Sequence, residues 1–149
     1  MKLERILDGY MPADDKRIKL PPGRGIALLL RNLMVARKPL YAIGEWAAPF
    51  APTALGLESR HINLLNDDRV GRCLDRLFDA DRPALIVSVV ASAVRAFKVR
   101  LNQLHNDSTT VSFSGKYGLA DGRIVRGMPT LKVTYGHSKA RRPDLEQPI

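Results

Sequence analysis

The sequence predicts an α+β protein in which helices come first and a β-hairpin follows. Apolar residues recur every three or four positions through most of residues 25–97, a spacing that places them on one side of a helix. From residue 102 the chain alternates Ser, Thr, Val and Phe with other residues, which is typical of a strand. Four glycines in residues 115–127 indicate a loop or hairpin connection. We therefore predict a helical domain at residues 1–100 and a strand-containing domain at residues 101–149.

The first half of the helical domain contains three predicted helical stretches. A short helix comes first, and it is followed by a charged connector that ends at Pro21-Pro22-Gly23. Residues 25–37 form the second helix, and residues 40–48 the third. The apolar positions of the second helix are Ile26, Leu29, Leu30, Leu33 and Met34, which leaves a basic exposed side at Arg24, Arg31, Arg37 and Lys38.

Residues 66–79 carry the clearest helix signal. Asn66 can cap the helix by accepting a backbone N–H, and Asp67 and Asp68 occupy the first turn, where the helix dipole favours anions. Its apolar stripe consists of Val70, Cys73, Leu74, Leu77 and Phe78. A further helix starts after Arg82, with Pro83 suited to the first helical position. It is apolar on nearly every side through residue 97, which is typical of a buried helix.

Two strands are predicted in the second domain. The first covers residues 102–115, and the second covers residues 130–135, where Leu131, Val133 and Tyr135 share one face. The glycine-rich residues 115–127 connect the two strands. A basic tail follows, and it offers three candidate DNA contacts at Lys139, Arg141 and Arg142.

Composition and charge restrict the class of protein. The 149 residues carry a formal net charge of +9 and are 45% hydrophobic, which excludes wholesale disorder. The single cysteine, Cys73, excludes a disulfide scaffold. Excess positive charge favours a polyanionic partner, with nucleic acid first and an anionic membrane surface second. No stretch approaches the roughly 18 uninterrupted apolar residues that a membrane span requires, so we expect a cytoplasmic protein.

Three arginines on the predicted helix at residues 66–79 form a candidate DNA-binding face. Arg69, Arg72 and Arg76 lie on adjacent turns and can contact phosphates. Because Asp75 and Asp79 lie between them, a solvated, ion-paired face explains the pattern equally well. Residues 22–25 precede a helix and can place an anion at its N-terminus, but they lack the lysine and the spacing of a phosphate-binding loop. An ordinary turn is the preferred interpretation there.

Titratable residues offer one further candidate site, at Asp107. In a strand, Asp107 shares a face with residues 103, 105 and 109, so its carboxylate projects from the middle of the strand. Aspartate is depleted in strands, which leaves two explanations: a strand edge or end, or coordination of a hard divalent cation such as Mg²⁺. The three separated histidines predict no zinc site, and Cys73 is interpreted as a buried hydrophobe.

Three sequence blocks occur in a fixed order along the chain: NDDRVGRCLDRL at residues 66–77, LHNDSTT at residues 104–110 and YGHSKARRPDL at residues 135–145. Together they resemble the N-terminal part of bacterial insertion-sequence transposases with a DDE-type catalytic domain, in the insertion-sequence-four superfamily. The resemblance covers the chain from about residue 22 onward. It implies that residues 101–149 begin an RNase H-like domain, after a helical domain that contacts DNA.

The resemblance also implies a role for Asp107 as the first carboxylate of the catalytic triad. In that chemistry a pair of Mg²⁺ ions activates the attacking group and stabilises the displaced oxygen during phosphoryl transfer on DNA. Asn106 departs from the family, which usually has an apolar residue there, and Ala140 and Arg141 replace a common Asp-His pair. The family's second Asp and its Glu have no match in the chain. We therefore expect a truncated transposase that is inactive alone.

Two other interpretations remain open at this point. One is a basic DNA-binding module without catalysis, whose binding would weaken steeply with salt. The other is a non-functional remnant that aggregates through its exposed sheet edge. The expected partners are DNA, a second copy of the chain and a full-length transposase, and no membrane.

Overall fold

The computed structural model describes residues 3–11, 18–103, 105, 117–135 and 146–148. The chain divides into two compact units, Met1–Leu101 and Asn102–Ile149. Helices dominate the described residues and are followed by short antiparallel strand pairs, so the predicted α+β class is confirmed. Within the described residues, no helix combines the length and the apolar character needed to cross a membrane.

The described part of the first unit contains six α-helices. Short 3₁₀ segments at Leu40–Ala42 and Pro52–Leu55 lie in the connections between them. The helices are α1 (Leu3–Tyr10), α2 (Pro22–Val35), α3 (Ile43–Ala47), α4 (Ser59–Ile62), α5 (Asp67–Asp79) and α6 (Arg82–Phe97).

Helix α2 lies at the centre of the first unit, with α1 packed on one part of it and α5 on another. It begins at Pro22, three residues earlier than predicted, because proline at the first helical position loses no intrahelical hydrogen bond. The expectation of an ordinary turn at residues 22–25 is therefore wrong, since these residues form the first turn of α2. Gly23 lies against Asp8 of α1, and Gly25 lies against Cys73 of α5.

The predicted apolar face of α2 is only partly buried. Ile26 is buried as expected, and so are its neighbours Ala27 and Leu28. Leu33 and Met34, in contrast, are 58% and 86% exposed. Neighbouring helices contact α2 on two sides near its N-terminus, where almost every residue is buried, whereas its last turn is largely uncovered. The burial therefore follows the position along α2 more closely than the helical period.

Helix α5 matches its prediction closely. The Asn66 side chain accepts the backbone N–H of Arg69 at 2.9 Å, which satisfies one of the free donors at the start of the helix. Val70 and Cys73 are buried, and Cys73 lies against α2. Leu74, expected in the same apolar stripe, is 42% exposed.

Helix α6 has the predicted extent but not the predicted burial. Its N-cap is Asp81, whose carboxylate accepts the backbone N–H of Ala84 at 3.1 Å. Leu85 is its one buried residue, and Phe97 is 69% exposed. Helix α1 is its main described neighbour, and a hydrogen bond of 2.6 Å joins the hydroxyls of Tyr10 and Ser88. Because the residues that are not exposed lie mainly on one side of α6, the expectation of a buried helix is wrong.

The second unit contains short antiparallel strands. Strands β1 (Ile124–Val125) and β2 (Met128–Pro129) form a hairpin, with Val125 opposite Met128. Arg126 and Gly127 at its turn both have positive φ, as a two-residue type I′ turn requires. Strand β3 (Val133–Tyr135) falls inside the predicted second strand and pairs with β4 (Glu146–Pro148). Of the predicted strand at residues 102–115, the described residues 102, 103 and 105 are not in a strand, and the rest lies outside the described residues.

Candidate nucleic-acid interface

The three arginines predicted to bind DNA occupy different environments on α5. Arg69 is half-buried, and its Nη1 donates to the carbonyl oxygen of Leu64 at 3.2 Å, which ties the start of the helix to the preceding turn. Arg76 is also half-buried, whereas Arg72 is exposed. Of the three arginines, only Arg72 is exposed, so α5 does not present a row of three exposed arginines.

Acidic side chains outnumber the basic ones on α5. The helix carries four carboxylates, all of them exposed, at Asp67, Asp68, Asp75 and Asp79. Two of them, Asp67 and Asp68, lie in the first turn, where they complement the helix dipole. Since four negative charges accompany three positive ones, α5 contributes little positive potential to the surface.

Several other cations of the first unit are held in ion pairs within the fold. Glu58 lies 3.3 Å from Arg24 and 2.9 Å from Arg60, measured between carboxylate oxygens and guanidinium nitrogens. Glu4 of α1 pairs with Arg31 of α2, and this hydrogen bond is the main reason that the pKa of Glu4 lies below its usual value. Such partners reduce the charge that these arginines can offer to a ligand.

A strongly positive part of the first unit is the end of α6 and the residues that follow it. No Asp or Glu occurs between Asp81 and Asp107 in the sequence, while four cations do. Arg82 lies at the start of this segment, with its guanidinium group 5.0 Å from the centre of the Phe78 ring. The other three, Arg95, Lys98 and Arg100, are exposed and are called the α6 basic end below.

The backbone geometry places these three cations close together. Arg95 is in the last turn of α6, and Lys98 ends the helix in the left-handed conformation with φ 52° and ψ 42°. The backbone N–H groups of Lys98 and Val99 both donate to the carbonyl oxygen of Val94. Among the described residues, no Asp or Glu forms an ion pair with Arg95, Lys98 or Arg100. The sequence interpretation missed this cluster, although the long acid-free segment was a visible signal.

The buried residues Cys73 and His61 of the first unit do not form a reactive site. Burial raises the pKa of the Cys73 thiol to about 11, and its Sγ donates to the carbonyl oxygen of Arg69 at 3.3 Å. The prediction of Cys73 as a buried hydrophobe is confirmed. His61 is also buried, with its Nδ1 accepting the backbone N–H of Glu58 at 3.2 Å, and burial lowers its pKa. A neutral imidazole held in this way serves the structure of the short helix α4.

The remaining predicted site residues lie outside the described residues. They are Asp107, Lys139, Arg141 and Arg142. Within the described ranges, no three His, Cys, Asp or Glu side chains come together in a way that could hold a metal ion. The Mg²⁺ ligand role of Asp107 therefore stays a prediction.

Comparison with protein families finds one match. A family model described as a domain of unknown function, DUF4277, matches residues 1–91, from α1 into the middle of α6. No curated protein and no solved structure matches the chain.

Proposed function

The chain belongs to the DUF4277 family, and we propose that this member binds duplex DNA by contacting the phosphate backbone. The net charge of +9 on 149 residues is the observation that carries the proposal. Duplex DNA presents one negative charge for about every 1.7 Å of its axis, and neutralising it releases condensed counterions. Since such contacts read the backbone and not the bases, we expect binding with little sequence preference.

We also propose that the protein is related to DDE transposases of the insertion-sequence-four superfamily. The three ordered blocks at residues 66–77, 104–110 and 135–145 support this relationship. On this proposal residues 101–149 belong to an RNase H-like domain, and Asp107 is a ligand of Mg²⁺. The ion would supply charge stabilisation for phosphoryl transfer on DNA.

DNA binding is tested with the full chain and two fluorescently labelled duplexes of about 20 base pairs and unrelated sequence. Fluorescence anisotropy should give dissociation constants that agree within about threefold for the two duplexes, because phosphate contacts position a protein without specifying sequence. Both constants should increase as the salt concentration rises. Absence of binding, or binding that is insensitive to salt, would refute the proposal.

The transposase relationship is tested through Asp107. Binding of Mn²⁺ to the chain in complex with duplex DNA can be followed by electron paramagnetic resonance, since Mn²⁺ accepts the same oxygen ligands as Mg²⁺. Asp107→Asn should weaken Mn²⁺ binding at least tenfold. Asp68→Asn, which removes an exposed carboxylate from α5, should leave it unchanged. Equal Mn²⁺ binding by the wild type and Asp107→Asn would count against the metal site and leave the DNA-binding proposal intact.

A further inference from the structure

We propose that the α6 basic end, formed by Arg95, Lys98 and Arg100, is the surface on which the first unit holds the DNA phosphate backbone. This inference rests on the proposed DNA binding, and it moves the contact from the three arginines of α5 to a different element. The groups bound there are successive phosphate diesters of the DNA backbone.

Charge distinguishes the α6 basic end from α5 and from the ion-paired arginines of the first unit. On α5, four exposed carboxylates accompany the three arginines. Arg24, Arg31 and Arg60 are paired with Glu58 or Glu4. The α6 basic end, in contrast, lies in an acid-free segment of the sequence, and its three cations have no ion pair with a described residue. Arg37 and Lys38 after the end of α2 are exposed in the same way, but they are two cations and not three. A phosphate would therefore meet three cations that are not already paired with a described carboxylate.

The arrangement also suits successive phosphates. Arg95 and Lys98 are three residues apart, so their Cα atoms differ by about 4.5 Å along the helix axis. Such neighbours lie on the same side of a helix, within reach of one another's side chains. Arg100 follows two residues after Lys98, in non-helical backbone. The two guanidinium groups can each donate two parallel N–H bonds to a phosphate, and the lysine ammonium adds a third positive charge.

Exposed apolar residues lie near these cations, so a membrane surface is the alternative ligand. They are Ile86, Val87, Val90 and Phe97 on α6, and Val99 and Leu101 in the non-helical backbone after it. Peripheral membrane binding by this type of composition uses an amphipathic helix, with one apolar face buried among the acyl chains. Because the cations here extend beyond the helix end, a polyanion that contacts them along its length fits the surface better.

The test compares two triple variants of the full chain that lose the same charge. The first is Arg95→Gln/Lys98→Gln/Arg100→Gln. The second changes three exposed cations on other parts of the first unit, Arg5→Gln/Lys19→Gln/Lys38→Gln. Anisotropy titrations with a duplex at about 0.1 M salt should show a loss of affinity of at least about tenfold for the first variant and less than about threefold for the second. The salt slope of the first variant should fall by about one unit for each lost phosphate contact.

The outcomes separate this inference from the proposed function. Equal losses for the two triple variants, or wild-type affinity for the first, would overturn the inference while DNA binding stands. Failure of the wild type to bind DNA would overturn both. Tighter binding of the wild type to phosphatidylserine vesicles than to DNA, at equal phosphate concentration, would also overturn the inference. The double variant Arg95→Lys/Arg100→Lys keeps the charge and should retain most of the DNA affinity. Unchanged helical circular dichroism of the first triple variant shows that its loss of affinity does not come from unfolding.

Discussion

At the scale of single residues, two glycines set the distance between α2 and its neighbours. A Cβ added at Gly25 would overlap Cys73 Sγ of α5 and lie 3.1 Å from Cys73 Cβ. A Cβ added at Gly23 would overlap the Asp8 carboxylate and lie 3.0 Å from the Asp8 backbone nitrogen. The missing side chains allow α1 and α5 to pack closely on the first turns of α2.

This packing predicts opposite effects for the same substitution at two helical glycines. Gly25→Ala should lower the free energy of unfolding by about 1–3 kcal/mol, because the buried contact with Cys73 cannot accommodate a methyl group. Gly71→Ala in α5, where an added Cβ meets no atom within 4 Å, should raise it by about 0.5–1 kcal/mol through helix propensity. Urea denaturation measures both values. Effects of the same sign would contradict the close approach of α2 and α5.

His61 predicts how stability depends on pH. Burial holds the pKa of the folded histidine below its usual value of 6.5, so the unfolded chain binds the proton first as the pH falls. The stabilising contribution is therefore complete above about pH 6.5 and is lost as the pH falls through the folded pKa. Urea denaturation between about pH 8 and pH 5 should show this decrease for the wild type, and His61→Gln should show a smaller one. If the free energy of unfolding depends on pH in the same way for the wild type and for His61→Gln, this role of His61 is contradicted.

The roles of individual residues differ in how far the sequence predicts them. Cys73 is recognisable because it lies in the apolar stripe of a helix with a clear period. His61 lies in a four-residue helix, which is too short for a period to indicate burial. The sequence predicts a turn at residues 22–25 and places Gly25 at its boundary with the helix, since a glycine that permits close helix packing has the same local signature as one that breaks a helix.

At the scale of elements, helix boundaries are better predicted than helix environments. The start of α5 follows from Asn66, and the start of α6 from a proline in the first turn, both of which act within a few residues. The burial of α6 depends instead on which helices lie beside it. An apolar sequence all around a helix indicates that it can be buried, but the number of neighbours is a tertiary property. The same reason applies to Leu33 and Met34 at the exposed end of α2.

The end of α6 allows a prediction that separates stability from binding. Lys98 has φ 52°, a conformation in which a Cβ is unfavourable and glycine is preferred. Lys98→Gly should therefore raise the free energy of unfolding by about 1 kcal/mol, while DNA affinity falls because a cation of the α6 basic end is lost.

As a control, Arg95→Gly in the helical last turn should lower the free energy of unfolding by about 1 kcal/mol and also weaken binding. Thermal unfolding and anisotropy measure the two properties. The expected result is that Lys98→Gly makes the protein more stable and weakens its binding to DNA. A less stable Lys98→Gly variant would contradict this expectation.

At the scale of the whole molecule, the sequence specifies the amount of charge, and the fold determines which charges are accessible. The net charge of +9 can be counted directly, and so can the acid-free segment after Asp81. The sequence could not show that Arg69 bonds the Leu64 carbonyl, or that Glu58 lies beside both Arg24 and Arg60. The Arg24–Glu58 pair joins distant parts of the chain, and the other two contacts depend on side-chain conformation. Together they leave the end of α6 more open to an anion than α5. The predicted catalytic residue Asp107 lies outside the described residues.

The most direct test of the account is the salt dependence of DNA binding by the wild-type chain. The dissociation constant for a mixed-sequence duplex should be measured by anisotropy between about 50 and 200 mM salt. If the three cations of the α6 basic end each contact a phosphate, the logarithm of the association constant should fall linearly with the logarithm of the salt concentration, with a slope of about −3 or steeper. A slope near zero, or no detectable binding at about 50 mM salt, would contradict the proposed function.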